Sequence, residues 1–202
     1  MSEKSYSQFG EDMILAALLP ATGNLIDVGA WEPFNLSNSR LLIERGWDAT
    51  LVEFSPHPAR ELVKEYGNSD RVRVIAAALT PGPRHIEPYQ ITDDALSSNN
   101  VENLAIWRAA GGYFGTLYVP TVSVKQLLAQ FYGDKQVNFV NIDAEGSSVE
   151  LAIEFMNQDH GHQPDVICVE HDNALVRLME TAQGRGYRQE WMNACNVILV
   201  KR

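Results

Sequence analysis

The sequence predicts an α/β fold in which helices cover both faces of a doubly wound, mostly parallel sheet with an antiparallel C-terminal strand. Short β-rich runs alternate with helical stretches, which is the pattern of parallel strands joined by crossover helices. The first five β-rich runs are apolar almost throughout, as strands buried on both faces are. The last two are too close together for a helical crossover, so we expect them to pair antiparallel.

The order of the elements follows from these runs and from helix-capping residues. The predicted strands are residues 24–28, 49–54, 72–77, 137–142, 165–170, 187–191 and 196–200. The capping signals are Ser55-Pro56, capping-box patterns that begin at Ser123 and Ser147, and Asp172, which can start a helix that runs to Gly184. The pattern therefore predicts a helix after most of the parallel strands.

Residues 80–120 break this alternation. The segment is too long for a simple connection and is rich in Pro, Gly, Ser and Asn. We interpret it as an insertion within one domain of residues 1–202, placed to cover an acceptor site. Its aromatic residues could stack on an acceptor or form a small core of their own; they include Trp107, Tyr113, Phe114 and Tyr118.

Composition and charge exclude several classes of function. Of the 202 residues, 45% are apolar and 21% are charged, and the longest apolar runs fall far short of the roughly 20 residues of a membrane span. The N-terminus lacks the layout of a secretion signal, so we expect a cytoplasmic protein with no membrane partner. A formal charge of -10 without a basic patch makes nucleic acid an unexpected partner. Cys168 and Cys195 are expected to be free thiols.

The carboxyl ends of the first two strands carry residues suited to a small ligand, because ligands of open α/β sheets bind beyond these ends. The first strand leads through Asp27 to Gly29, which permits a sharp turn, and the second ends in Glu53, which is spaced to hold ribose hydroxyls. Either acid alone is more simply a loop cap or a surface acid. Both at successive strand ends favour a binding site.

The turn after the first strand is not a dinucleotide-binding fingerprint. Ala30 follows Gly29, and Pro33 stands where a later glycine is expected, so a pyrophosphate cradle is not predicted. S-Adenosylmethionine (SAM) has no phosphate and carries a sulfonium and an ammonium group, so an acidic turn with a glycine matches its charge. A nicotinamide oxidoreductase remains a rival at the level of the fold.

Six stretches, spread over nearly the whole chain, carry a family resemblance by their order and spacing. They are residues 6–12 (YSQFGED), 26–30 (IDVGA), 51–56 (LVEFSP), 120–123 (PTVS), 142–146 (IDAEG) and 167–170 (ICVE). In these stretches the chain resembles the FkbM-type family of SAM-dependent methyltransferases. It departs from that pattern at Pro33, where many relatives have Gly, and at Asn141, where many have Lys.

The resemblance implies a Rossmann-like class I methyltransferase sheet and a set of contacts to SAM. The implied contacts are Asp27 and Gly29 at the methionine part, Glu53 at the ribose, Phe54, Ala77 and Ala78 at the adenine, and Ala30 and Asp143 in addition. Each role is carried over from the family and is an expectation for this chain.

Two later strands bring carboxylates and an imidazole to the same edge of the sheet. Asp143 and Glu145 follow one strand, and Glu170, His171 and Asp172 follow the next. Like charges at short range persist by sharing a proton or a cation. In one mechanism His171 or a carboxylate is the general base for an acceptor hydroxyl. In the other, Asp143, Glu170 and Asp172 hold Mg²⁺, which binds a diol and lowers its pKa.

Each of these residues also has a structural interpretation. The alternatives are a turn-orienting role for Asp143, a solvent contact for Glu145, a helix cap for Asp172 and a satisfied loop position for His171. Near the N-terminus, Gln8 or Asp12 either reaches the active site from above or belongs to an ordinary amphipathic helix start.

The function that we expect is O-methylation of a hydroxyl on a sugar, glycan or polyketide-like small molecule. N-methylation or carboxyl methylation with the same cofactor is an alternative, because cofactor motifs do not report the acceptor atom. A non-catalytic SAM-binding module is another, and it predicts SAM binding without turnover.

Overall fold

The computed structural model describes residues 4–83, 85–92, 97–98, 104–105, 108–109, 115–159, 161–171 and 174–202. The helices in these ranges are α1 (Glu11–Leu18), α2 (Arg40–Glu44), α3 (Pro56–Tyr66), α4 (Val124–Phe131), α5 (Ser148–Met156) and α6 (Leu175–Gly184). The strands are β1 (Asn24–Val28), β2 (Asp48–Val52), β3 (Val72–Ile75), β4 (Ala78–Thr80), β5 (Ile86–Ile91), β6 (Gly115–Ser123), β7 (Phe139–Ile142), β8 (Val166–Glu170), β9 (Tyr187–Met192) and β10 (Asn196–Lys201).

Seven strands form one sheet in the order β3-β2-β1-β7-β8-β10-β9. The five strands from β3 to β8 in this order are parallel, and β10 pairs antiparallel with both β8 and β9. The predicted fold class is therefore confirmed, and all seven predicted strands are present. The chain order reverses between β1 and β7, and the carboxyl ends of strands diverge at such a switch point to leave a crevice.

The alternation of side chains along the strands divides the core between the two faces of the sheet. Ile26 and Val28 of β1 pack in a cluster with α4, α5 and α6, whereas Leu25 packs with α1, α2 and α3 on the other face. Asp27 shares the face of Leu25 by the same alternation. An acidic side chain is therefore buried in an inner strand of the sheet, where it is 1% exposed.

The helix starts follow the capping predictions in part. Ser123 forms the predicted capping box with Gln126 at the start of α4, and Pro56 opens α3 after Ser55. The capping box predicted at Ser147 is wrong, because its φ of -125° and ψ of 0° lie outside the extended conformation of a capping residue and its side chain makes no cap. α6 ends at Gly184 as predicted, and Asp172 lies outside the described residues.

The described part of the insertion adds a second sheet beside the first. β5 and β6 are antiparallel neighbours, and β4 pairs parallel with β6, which gives a three-stranded sheet in the order β4-β6-β5. Ala78, Tyr89 and Val119, one from each strand, form a small buried cluster against which Phe54 packs, whereas Tyr118 is 70% exposed. Trp107, Tyr113 and Phe114 lie outside the described residues.

The cysteines and the apolar runs of the chain were the subject of two expectations from composition. Cys168 and Cys195 are both free thiols, as predicted. Among the described residues, no helix combines the length and the apolar character that crossing a bilayer requires. Burial raises the pKa of the Cys168 thiol well above its ordinary value, so this group is an inert part of the core.

Candidate active site

A cavity opens at the carboxyl ends of β1, β2 and β7, where the strand order reverses. The space inside it, counted together with the part that is open to solvent, is about 800 Å³. Most of the residues predicted to contact a cofactor line this cavity, namely Gly29, Glu53, Phe54, Ala77, Ala78 and Asp143. The structure thus brings together side chains from four separate stretches of sequence.

Gly29 permits the close approach of two main chains at the floor of the cavity. Its φ is +74°, in the left-handed region, and its N–H donates to the carbonyl of Val52 at 3.0 Å. A Cβ at this position would lie 1.8 Å from the main-chain oxygen of Asp143. Only glycine therefore fits where the turn after β1 passes the turn after β7.

Glu53 is buried at the end of β2 and is held by main-chain donors. Its Oε2 accepts a hydrogen bond from the N–H of Trp31 at 3.1 Å, and its Oε1 accepts one from the N–H of Ser55 at 2.6 Å. Burial raises the pKa of this carboxyl, and the two N–H donors act in the opposite direction. The carboxylate is fixed in one orientation, and it has further lone pairs that can accept hydroxyl groups of a ligand.

Part of the cavity wall is built jointly by the end of β2 and the insertion. The ring of Tyr89 on β5 lies 4.5 Å from the ring of Phe54, measured between centroids, and both residues line the cavity. The hydroxyl of Ser98 donates to the main-chain oxygen of Glu145 at 2.6 Å, which ties the insertion to the turn after β7. The insertion therefore contributes to the same cavity as the predicted cofactor residues.

Asp27 and Ala30 are placed differently from the other predicted cofactor residues, because neither lines the cavity. The Oδ1 of Asp27 accepts a hydrogen bond from the side-chain amide of Asn141 at 2.8 Å, and the Oδ1 of Asn141 accepts one from Asn38 at 3.0 Å. Burial raises the pKa of Asp27, and bonds from Ser39 and Asn141 oppose that rise. Asp27 is therefore bonded to neighbouring side chains of the protein, and its predicted contact with the methionine part of SAM stays a prediction.

Three of the predicted catalytic carboxylates converge at the edge of the cavity. One carboxylate oxygen each from Asp143, Glu145 and Glu170 lies within 4.8 Å of the others. Asp143 and Glu145 line the cavity, and Glu170 ends the neighbouring strand β8. The three oxygens are close enough to ligate one cation, and the group adjoins the predicted cofactor residues.

His171 does not line the cavity. Its main-chain N–H donates to the carbonyl of Cys195 at 3.0 Å, and its Nε2 lies 3.5 Å from the carbonyl oxygen of Asn193. Its Nδ1 is buried and has no hydrogen-bond partner among the described residues. His171 is thus held by the turn between β9 and β10 outside the cavity lining, and its predicted catalytic role stays a prediction. Asp172, the third predicted metal ligand, lies outside the described residues.

The two acidic residues of the N-terminal segment accept hydrogen bonds that hold this segment in place. Asp12 is fully buried and accepts hydrogen bonds from the main-chain N–H of Tyr6 at 2.7 Å and from two nearby hydroxyls. Glu11 is also fully buried and accepts bonds from the side-chain amides of Asn193 and Asn196, at 3.0 and 2.9 Å. Asp12 is thus engaged within its own segment, and Glu11 ties that segment to the turn between β9 and β10.

A family comparison identifies the class of enzyme. Residues 27–188 match the methyltransferase FkbM domain, which is most of the chain and includes every residue predicted for catalysis or cofactor binding. The chain belongs to the FkbM family of methyltransferases. The resemblance in its sequence motifs is therefore confirmed, and SAM is the methyl donor of this class of enzyme. No curated protein matches the chain in sequence.

Solved structures with the same architecture are also methyltransferases. Precorrin-6y C5,15-methyltransferase from Geobacter metallireducens GS-15 is 12% identical with a TM-score of 0.52, and the match covers 100% of this chain and 94% of that one. The putative methyltransferase yhhF from Escherichia coli is 15% identical with a TM-score of 0.51, covering 98% and 89%. Ribosomal protein L11 methylase from Lactobacillus delbrueckii subsp. bulgaricus is 9% identical with a TM-score of 0.50, covering 95% and 78%. At these identities the likeness shows the Rossmann-like class I fold alone.

Several residues of the FkbM-family cavity were not predicted from the sequence. They are Trp31, Leu36, Tyr89 and Ser147. Trp31 and Leu36 come soon after the motif turn that follows β1, so their nearness in sequence to Gly29 was a usable signal. Ser97 and Ser98 also line the cavity, and they lie in the part of the insertion that the sequence predicts above this edge. Tyr89 belongs to the insertion too, and no local pattern shows that this residue reaches the sheet.

Proposed function

We propose that this FkbM-family protein transfers the methyl group of SAM to a hydroxyl oxygen of a small molecule such as a sugar, a glycan or a polyketide-like compound. The observation that carries the proposal is the position of three carboxylates, Asp143, Glu145 and Glu170, at the edge of the cavity that holds the predicted cofactor residues. A hydroxyl acceptor must lose a proton when it is methylated, and a carboxylate beside it can take that proton.

The residues that line the cavity suit SAM in charge and in chemical character. SAM supplies a methyl group on a positively charged sulfur. Glu53 is oriented by the N–H groups of Trp31 and Ser55, so that it would accept the two ribose hydroxyls, and its charge attracts the cation. Phe54 and Tyr89 would offer ring surfaces to the adenine. Asp143, which approaches Gly29 and lines the same cavity, would face the methionine part.

The chemistry follows from placing an acceptor hydroxyl between the cavity and the carboxylates. The hydroxyl oxygen forms a bond to the methyl carbon while the carbon–sulfur bond breaks, and its proton moves to one of the three carboxylates. The products are a methyl ether and the neutral thioether S-adenosylhomocysteine. Residues that hold both reactants in line supply much of the rate enhancement, because they convert a bimolecular encounter into one ordered step.

The same charges argue against other acceptor atoms. A carboxylate acceptor would be repelled by Asp143, Glu145 and Glu170, which makes carboxyl methylation the poorest fit. An amine acceptor would bind well as an ammonium ion, but it must lose its proton before it can attack. A neutral hydroxyl avoids the repulsion and gains a base.

In a second form of the proposal, the three carboxylates would bind a divalent metal ion. Three carboxylates within 4.8 Å of one another are oxygen ligands of the kind that Mg²⁺ prefers, and Glu145 here joins Asp143 and Glu170 of the predicted set. Such an ion would hold two acceptor oxygens and lower the pKa of the attacking hydroxyl. Chelator treatment tests this form: turnover that is lost with EDTA and restored by Mg²⁺ supports it, and turnover that is unchanged by EDTA contradicts it.

The proposal is tested by methyl transfer from tritiated SAM to a panel of hydroxylated acceptors. We expect turnover by the wild-type chain and a loss of about a hundredfold or more in kcat for at least one of Asp143→Asn, Glu145→Gln and Glu170→Gln. Glu180→Gln, an exposed acid on α6, is the control and should keep full turnover. Full turnover in all three variants would show that the carboxylate mechanism is wrong. SAM binding without turnover on any acceptor would favour a non-catalytic module.

A further inference from the structure

Two residues of the cavity have a strained main chain. In the part of the chain that the structure describes, Trp31 and Leu36 are the two non-glycine residues with positive φ, at +48° and +58°. A side chain at such an angle crowds its own backbone, which is why glycine usually occupies the left-handed region. Both residues lie in the turn between β1 and α2, and both line the predicted SAM cavity.

The strain is maintained by hydrogen bonds at both ends of the turn. The N–H of Trp31 donates to Oε2 of Glu53, so the first strained residue is fixed to the side chain that is predicted to hold the ribose. The N–H of Ser37 donates to the carbonyl of Tyr6 at 3.1 Å, immediately after the second strained residue. Strained conformations that persist in this way concentrate at functional sites, because the surrounding structure over-determines them.

The side chain of Leu36 contributes little to the stability of the fold, so it does not offset this strain. Leu36 is 51% exposed, so it loses much less contact with water on folding than a core leucine does. Glycine would relieve the backbone at this position, and asparagine would tolerate it better. An apolar side chain at the rim of the cavity is therefore better explained by contact with a ligand than by the stability of the chain.

The cavity that Trp31 and Leu36 line is also acidic. Glu53, Asp143 and Glu145 belong to its lining, and none of its described lining residues is basic. The negative charges of a phosphorylated or carboxylated acceptor would be repelled by these carboxylates. A neutral ring with hydroxyl groups and an apolar face matches a lining that is both acidic and apolar.

We propose that Trp31 and Leu36 determine acceptor specificity by packing against the apolar face of a neutral hydroxylated ring, whose reacting hydroxyl faces the carboxylates. The acceptor class is a sugar ring, or a glycoside of an apolar group, that carries no phosphate or carboxylate. The inference rests on the proposed function and names its substrate class. It assigns to the turn after β1 a role in choosing the acceptor in addition to its place beside the cofactor.

The test is calorimetric titration of the chain, saturated with S-adenosylhomocysteine, with phenyl β-D-glucopyranoside and with glucose 6-phosphate. We expect the phenyl glucoside to bind and the phosphate to bind at least tenfold more weakly or not at all. Leu36→Gly and Trp31→Gly should each raise the Kd for the phenyl glucoside about tenfold, because each removes apolar contact area. Val63→Ala, at a 53% exposed position on α3, should leave this Kd unchanged.

A melting experiment separates strain from a structural role. Leu36→Gly should melt at least as high as Leu36→Ala, because only glycine relieves the left-handed backbone, whereas Val63→Gly in a helix should melt below Val63→Ala. Equal binding of the phenyl glucoside by Leu36→Gly and wild type, no binding by the wild type, or tighter binding of the phosphate would each overturn the inference. Failure to bind S-adenosylhomocysteine at all would overturn the proposed function, and the inference would fall with it.

Discussion

The main chains of Gly29 and Asp143 meet at the floor of the cavity, so closely that a Cβ on Gly29 would lie 1.8 Å from the carbonyl oxygen of Asp143. The two residues follow neighbouring parallel strands, β1 and β7. Their contact positions the turn proposed to bind the donor against the turn that carries the proposed base. Methyl transfer needs both reactants in line, so under the proposed function this contact would set the geometry of the reaction.

Gly29→Ala should therefore abolish SAM binding and destabilise the chain. The substitution adds a steric clash to the cost of a left-handed backbone, which alone is about 1–2 kcal/mol. Gly186→Ala is the matched control, because Gly186 has a φ of +82° and nothing within 4 Å of an added Cβ. Chemical denaturation and calorimetry measure both effects. Equal destabilisation by the two variants, with SAM binding retained in Gly29→Ala, would refute the close-approach argument.

SAM affinity should depend on pH through Glu53. Burial raises the pKa of this carboxyl, so protonation removes its negative charge at a higher pH than for an exposed glutamate. Because the ionised form attracts the cationic donor, SAM affinity should fall as the pH is lowered from 7 towards 5. The check is a series of titrations across this range. In Glu53→Gln the same series should be flatter, and an identical pH dependence in that variant would exclude Glu53 as the titrating group.

The contribution of Asp27 to the free energy of unfolding should depend on pH. Its pKa is raised in the folded chain, so between the ordinary aspartate value and the raised value the folded state binds more protons than the unfolded state. The free energy of unfolding should consequently decrease as pH rises through this window. Asp27→Asn keeps the bond to Asn141 and should become more stable than wild type as pH rises.

Asp27→Ala is the contrasting variant. It leaves the buried amide of Asn141 without its acceptor, so we expect a loss of about 1–3 kcal/mol in the free energy of unfolding at all pH values. Urea denaturation at several pH values measures both variants. If Asp27→Asn followed the wild-type pH profile, the decrease would have to come from another group.

Tyr89 should contribute to cofactor affinity from the insertion. Its ring lies 4.5 Å from that of Phe54, and a ring that stacks on a base is worth about 1–3 kcal/mol. We expect Tyr89→Leu, which keeps an apolar side chain in the buried position, to raise the Kd for SAM about tenfold or more. Tyr118→Leu on the adjacent strand is the control, because Tyr118 is 70% exposed and does not line the cavity. Equal SAM affinity in both variants would show that Tyr89 does not contribute to SAM binding.

The sequence was sufficient for the sheet because its signals are local and repeated. Each buried parallel strand is a short apolar run, and capping residues such as Ser123 mark the helices between them. At Ser147 the predicted helix start is right, because α5 begins at Ser148, but the predicted capping box does not form, because the main chain of Ser147 is not extended. A capping residue can make its hydrogen bonds only where its own main chain has the extended conformation.

The candidate site was predictable where strand ends carry polar residues and less so elsewhere. Glu53 and Asp143 follow strands whose carboxyl ends must meet, so their convergence followed from topology. The placement of Asp27 depends on which face of β1 it occupies and on its bond to Asn141, which lies 114 residues away in sequence. Tyr89 reaches the cavity through tertiary packing of the insertion, for which the sequence carries no periodic signal.

The most direct test of this account is a calorimetric titration of the purified chain with SAM, performed on wild type, Glu53→Gln and the exposed-acid control Glu180→Gln. The account predicts saturable binding to wild type and to the control, and a Kd about tenfold to a hundredfold higher for Glu53→Gln, because a charge-assisted hydrogen bond to the ribose is lost. Absence of SAM binding to folded wild-type protein, or equal affinity in Glu53→Gln, would contradict the assignment of this cavity to the methyl donor.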